Sequence, residues 1–182
     1  LAWQGIYQDT DAIPPRLFLV LLPLFLVVFY LGFAKRTANI RAGFDLERLH
    51  YLHIVRIFVE VFFLYGLYEL GYVAKEVTFA GNNYDIVPGV TAPIIALLVW
   101  RWQKLDQRWA LYWNFAAMLI LLFTISQAIL SAPFPFQQLS LAQPTVAPLY
   151  FPFIWLPVFV APLVILAHCI SIRRLLTEMK GL

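Results

Sequence analysis

Residues 49–73 read LHYLHIVRIFVEVFFLYGLYELGYV, from Leu49 to Val73, and this stretch decides the fold. As a helix it rises 1.5 Å per residue, so it is long enough to cross about 30 Å of hydrocarbon. His50, His53, Arg56 and Glu60 follow one another at i, i+3, i+6 and i+10, which puts all four on one face of that helix. Ionised groups two and three turns into an apolar run turn inward to a bundle or a wet cavity rather than to acyl chains. One buried polar face on a membrane-length helix therefore predicts neighbouring helices to receive it.

Four further apolar runs supply them: 16–34, 86–102, 109–130 and 150–172. With 62% of its residues hydrophobic and 13% charged, the chain lies outside soluble usage, where charged residues alone reach about a quarter. The runs extend from end to end, so the expected fold is all-α, a polytopic transmembrane bundle of five spans forming a single domain over 1–182. Pro88 and Pro93 lie early in the third and shortest run, where kinked or irregular first turns are expected. Pro152, Pro157 and Pro162 predict a bent outer half for the fifth. The chain opens at Leu1 without Met, and a sixth helix is expected upstream.

Basic residues set the topology. Lys35, Arg36, Arg41, Arg48, Arg101, Lys104, Arg108, Arg173, Arg174 and Lys180 all fall on one side of the five runs, and only Arg16 and Lys75 on the other. Positive loops stay in the cytoplasm, so the C-terminus is expected to be cytoplasmic. Trp3, Tyr7, Trp100, Trp102, Trp109, Tyr112, Trp113 and Tyr150 lie near run ends, as expected of rings at headgroup level. The bilayer is the expected partner. The basic residues form no aromatic-interleaved patch, which argues against nucleic acid. The single Cys169 has no second thiol to pair with and reads as a small buried apolar residue.

Arg56 and Glu60, at i, i+4, are expected to pair with each other. His53 and the distant His168, near the cytoplasmic end of the fifth run, fall at similar depth and are placed to meet. His50, His53, His168 and Glu60 have the residue types for a metal or a haem, but an i, i+3 His pair with no second acidic ligand nearby establishes neither. On the outer side, Gly81, Asn82 and Asn83 suit a tight turn with positive φ. Asp85 is expected to cap the third helix or, with Asn82 and Asn83, to coordinate a cation or polar solute, joined by Gln137 and Gln138. Ser126 and Gln127 are expected to hydrogen-bond across helices. Nucleophile elbows, phosphate loops and dinucleotide fingerprints are absent from the sequence.

The runs HIVRIFVE (His53 to Glu60), TFAGNNYDIVPGVTAP (Thr78 to Pro93), AILSAPFPFQ (Ala128 to Gln137) and YFPFIWLP (Tyr150 to Pro157) resemble an uncharacterised family of bacterial multi-pass membrane proteins, as does YQDTDAIPPR (Tyr7 to Arg16). The resemblance implies a bacterial inner-membrane location and supplies no reaction, cofactor or substrate.

The expected function is to bind or conduct a small polar solute or ion through an intramembrane site of His53, Arg56, Glu60 and His168, with an outer vestibule at Asn82, Asn83 and Asp85. Two alternatives stand beside it. One is a membrane-embedded enzyme acting on a lipid or prenyl substrate, with a histidine as general base and Arg56 holding an anionic head. The other is a scaffold subunit, since a bundle of this size leaves room for a homo-oligomer or a partner in a larger membrane complex.

Overall fold

The computed structural model describes residues 2–180, and among them there are helices, turns and loops but no strand. Six helices carry the architecture: α1 (Phe18–Phe33), α2 (Lys35–Ala42), α3 (Leu46–Glu69), α4 (Ile86–Arg101), α5 (Gln107–Ser131) and α6 (Leu156–Glu178). Three of them, α3, α5 and α6, are long and apolar enough to cross a membrane. A fourth crossing results if α1 and α2, bent by 69° at their junction, are taken as one, whereas α4 is a shorter apolar helix.

Helix α6 is the hub. It packs against α1 and α5 and touches the start of α3, while α3 lies along α4. Its inner face, from Pro162 through Ile165, His168, Cys169 and Ile172 to Leu175, is buried. Large apolar side chains instead cover the outside, among them Leu26 on α1, Phe62 on α3 and Leu119 on α5, between 67% and 72% exposed. Such an inverted surface suits a hydrocarbon surround better than water.

Local chemistry sets the helix ends. Asp45 and Asp106 cap α3 and α5, their Oδ1 atoms accepting from the backbone N–H of Arg48 (2.9 Å) and Arg108 (2.7 Å). Buried Arg41 folds back on the end of α1, its Nη1 donating to the carbonyls of Leu31 (3.2 Å) and Ala34 (2.7 Å) at that helix's C-terminus.

Three π-helical turns interrupt the long helices, at Val59–Leu64 in α3, Leu97–Arg101 in α4 and Leu156–Val160 in α6. The irregularity expected early in the third run is absent: α4 is α-helical over Ile86–Ala96, and its π turn lies at the opposite end. Pro88 occupies the first turn, where the missing N–H would have had no helical acceptor.

The loops that follow α3 and α5 interlock. Val146 and Ala147 N–H both donate to Tyr72 O at 3.0 Å, and Thr145 N–H donates to Ser131 O at 2.8 Å. Thr145 Oγ1 accepts from Ala74 N–H (3.1 Å) and lies 2.7 Å from Ser131 Oγ. Residues 131–147 are thereby tied over the C-terminal end of α3.

Candidate functional site

A chain of buried polar groups runs through the bundle. His50, His53, Arg56 and Glu60 on α3 all face inward and are almost wholly buried, as are His168 on α6 and Asn114 on α5. The chain begins at His50, whose Nδ1–H donates to Leu46 O (2.8 Å), leaving Nε2 to accept from Asn114 Nδ2 (2.9 Å). Asn114 Oδ1 in turn accepts from His168 Nδ1–H (2.9 Å), and His168 Nε2 faces Arg56 Nη1 at 3.4 Å. Because an amide presents one donor and one acceptor side, Asn114 assigns both imidazoles the Nδ1–H tautomer. No ring nitrogen of His53 has a partner, but its ring stacks on His168 with centroids 4.1 Å apart and meets Trp113 edge-on at 5.2 Å.

The expected pairing of Arg56 with Glu60 is not formed. Arg56 is taken in two places by Asp85, Nε–H donating to Oδ2 at 2.8 Å and Nη2–H to Oδ1, and a further Nη2–H donates to Ala117 O (3.2 Å). Asp85 brings both carboxylate oxygens edge-on to the N–H fork of the guanidinium, a two-point geometry that neighbours on one helix achieve poorly. Glu60 is bonded instead by Asn83, whose Nδ2 donates to Oε1 at 2.6 Å and to Val77 O at 2.9 Å. Asn83 Oδ1 accepts from Asp85 N–H (2.8 Å) and Thr124 Oγ1 (2.7 Å). Asp85 therefore stands at the start of α4 without capping it by its side chain.

Several expectations for the outer loop change accordingly. Asn83 and Asp85 belong to the buried cluster rather than to a vestibule, whereas Asn82 is exposed and takes no part. Gly81 has no positive φ; a Cβ there would lie 2.2 Å from Lys75 O, so close backbone approach is what requires the glycine. Gln137 donates to Leu139 O in its own loop at 3.0 Å and to Ser131 O at the end of α5 at 3.4 Å, and Ser126 to Phe123 O on its own helix at 2.7 Å, so neither reaches the cluster. Trp113 covers the histidines and donates from Nε1 to Thr91 Oγ1 (2.9 Å).

Gly89 explains how α4 comes so near. A Cβ at this position would lie 2.8 Å from Ile57 Cγ1 and 3.2 Å from Ile57 N. Asp85, one turn earlier on the same face, reaches Arg56 through that contact.

Beside the cluster lies a cavity of about 320 Å³, bounded by α1, α3, α5, α6 and the loops that follow α3 and α5. Its wall is apolar (Leu21, Phe25, Ala128, Phe134 and Leu149 among others) except where Arg56, Glu60, Asp85, Thr124 and Thr145 meet it. Glu60 Oε2 is buried without a hydrogen-bond partner. The cavity is partly open, and Leu22, which lines it, is also 61% exposed.

No group of three or more His, Cys, Asp or Glu side chains among the described residues is arranged to hold a metal ion. His53 and His168 are stacked rather than convergent, and their nitrogens do not meet at a common point as ligands would. Sequence reasoning missed Asn114 and Thr124, the bridges between helices. The available signal was Asn114 itself, an amide inside an apolar run directly after Trp113.

No curated protein and no solved structure matches the chain. Residues 13–176 match the family described as Domain of unknown function (DUF8737), and over that span, nearly its whole length, the chain belongs to that family.

Proposed function

We propose that the protein is an integral membrane protein of a bacterial inner membrane that binds a molecule with a single hydrocarbon chain in the cavity between α1, α3, α5 and α6. In this reading the chain crosses the bilayer five times, α4 being a short crossing, and its C-terminus lies in the cytoplasm. The observation that carries it is the cavity itself. At about 320 Å³ it is of ligand-holding size, oily along its length and polar where Arg56, Glu60, Asp85 and Thr124 meet the wall. A wholly polar solute would leave its hydration for apolar walls over most of that space, at a penalty of several kcal/mol per unpaired group. Its partial openness and the exposed Leu22 on its wall give a chain-bearing molecule entry from the membrane.

Conduction of protons or ions along the polar chain has weaker support. Arg56 stands in the middle of it, already bound to Asp85, and neither a guanidinium nor the Asn114 amide hands on a proton at ordinary pH. An Arg56 engaged by Asp85 is likewise not free to hold an anionic head, as the enzymatic reading required.

The test is photolabelling in nanodiscs with a twelve-carbon chain carrying a diazirine at its tail. Labelling of peptides bearing Leu21, Phe134 and Leu149 is expected to saturate, to be competed by unlabelled chain, and to fall about tenfold in Ala128→Phe, which fills the cavity. Labelling that never saturates and is unchanged in Ala128→Phe overturns the proposal.

A further inference from the structure

Five polar residues meet the wall of the cavity, and the protein itself engages all of them. Arg56, Glu60, Asp85, Thr124 and Thr145 are each between 1% and 8% exposed. Both carboxylate oxygens of Asp85 accept from Arg56, which also donates to Ala117 O. Asn83 bonds Glu60 Oε1 and the Thr124 hydroxyl, and Thr145 Oγ1 is held between Ala74 N–H and Ser131 Oγ. Glu60 Oε2 has no protein partner, but it is buried too deeply for a ligand to meet it.

The cavity also stops at both ends. At one end, Leu121 and Val164 belong to a packed cluster with Val28, Ile165 and Cys169. Just beyond it α1 closes on α6, where a Cβ on Gly32 would lie 2.4 Å from Cys169 Cβ. At the other end, Leu17, Leu21, Ala132, Phe134 and Leu149 belong to a second buried cluster. Leu121 and Ala132, eleven positions apart along α5, set the two ends about 16 Å from each other. Of the residues on the wall Leu22 alone is exposed, and it lies between those ends.

We infer that the cavity holds the hydrocarbon tail alone, leaves the head outside, and selects its ligand by chain length rather than by head group. This rests on the proposed chain-binding role and adds which part of the molecule is recognised. A head drawn inside would leave water for a wall whose polar atoms are already partnered within the protein, with one buried exception. A tail shorter than the cavity leaves wall atoms without contacts, the same loss that truncating a core side chain causes. A tail longer than the cavity keeps its surplus outside and gains nothing from it.

Two series of probes with a diazirine at the tail test this on the full chain in nanodiscs of zwitterionic lipid. Each probe is expressed as a mole fraction of lipid, so that its partitioning into the bilayer cancels. In the head series, twelve-carbon alcohol, amine and carboxylate are expected to half-saturate labelling of the cavity peptides within about threefold of one another. In the length series, alcohols of eight to eighteen carbons, the half-saturating fraction is expected to fall about tenfold up to about twelve carbons, the extended length that fits about 16 Å, and then to stay level. Val164→Phe, which fills one end, is expected to move that break to a shorter chain; both series on the unaltered protein hold even if this variant does not fold. A wider spread among heads, no break by eighteen carbons, or an unmoved break in folded Val164→Phe overturns selection by tail length and leaves chain binding intact. Absence of saturable labelling by every probe overturns both.

Discussion

Arg56 and Asp85, 29 positions apart, form a two-point ion pair in the interior, with side chains 2% and 9% exposed. Removing one partner of such a pair leaves a buried charge uncompensated and costs about 3–5 kcal/mol, while replacing both by apolar groups of similar volume is often close to neutral. Asp85→Ala is therefore expected to lose about 3–5 kcal/mol in denaturant unfolding from detergent, and Arg56→Met/Asp85→Leu to lose less than Asp85→Ala alone. A double variant as unstable as the sum of its single variants contradicts this.

Asn114 fixes the histidines. With its side chain removed, His50 Nε2 and His168 Nδ1 both lose their partners, so Asn114→Ala is expected to destabilise the fold by about 2–4 kcal/mol. Nitrogen-15 spectra of the labelled histidines provide the more direct check. His50 and His168 are expected as Nδ1–H tautomers in the parent, and Asn114→Ala is expected to lose that uniformity. Nε2–H signals from both residues in the parent would refute the assignment.

Contact between α3 and α4 depends on the missing side chain at Gly89. Gly89→Val forces Ile57 away and is expected to cost about 1–3 kcal/mol, in the range of other overpacked interiors. It should also weaken the link from Arg56 to Asp85, so the penalties of Gly89→Val and Asp85→Ala are expected to add to less than their sum. Strict additivity in a double-mutant cycle would show that the two are independent.

Thr145 ties its loop down. Thr145→Val removes the acceptor for Ala74 N–H and the contact with Ser131 Oγ, a loss of about 1–3 kcal/mol confined to that region. Hydrogen exchange at the Ala74 amide is expected to accelerate in Thr145→Val and to remain near the parent rate in Thr145→Ser. Equal protection in all three proteins would show that the hydroxyl holds nothing in place.

How much of this was legible in the sequence depended on range. Period and length identify helical runs, and the spacing of His50, His53, Arg56 and Glu60 identifies the inward face of α3, because both follow from geometry within one helix. The meeting of His53 with His168 was also readable, since depth in a bilayer can be counted from either end of a span. The partner of Arg56 was not. Glu60 is nearest along the chain, yet Asp85 wins through a close helix approach that only Gly89 permits, and a glycine in an apolar run does not announce its neighbour. The cavity was invisible for a related reason: it is the space left by five elements and is written in no one of them.

The π turns at Val59–Leu64, Leu97–Arg101 and Leu156–Val160 bear on how related chains should be compared. Each is geometrically equivalent to one surplus residue absorbed inside a helix, so single-position gaps among family members are expected to fall in these three windows instead of in the loops. An alignment that forces every gap into a connection would rotate Glu60 by about 100° from its counterpart and pair an inward carboxyl with an outward aliphatic side chain.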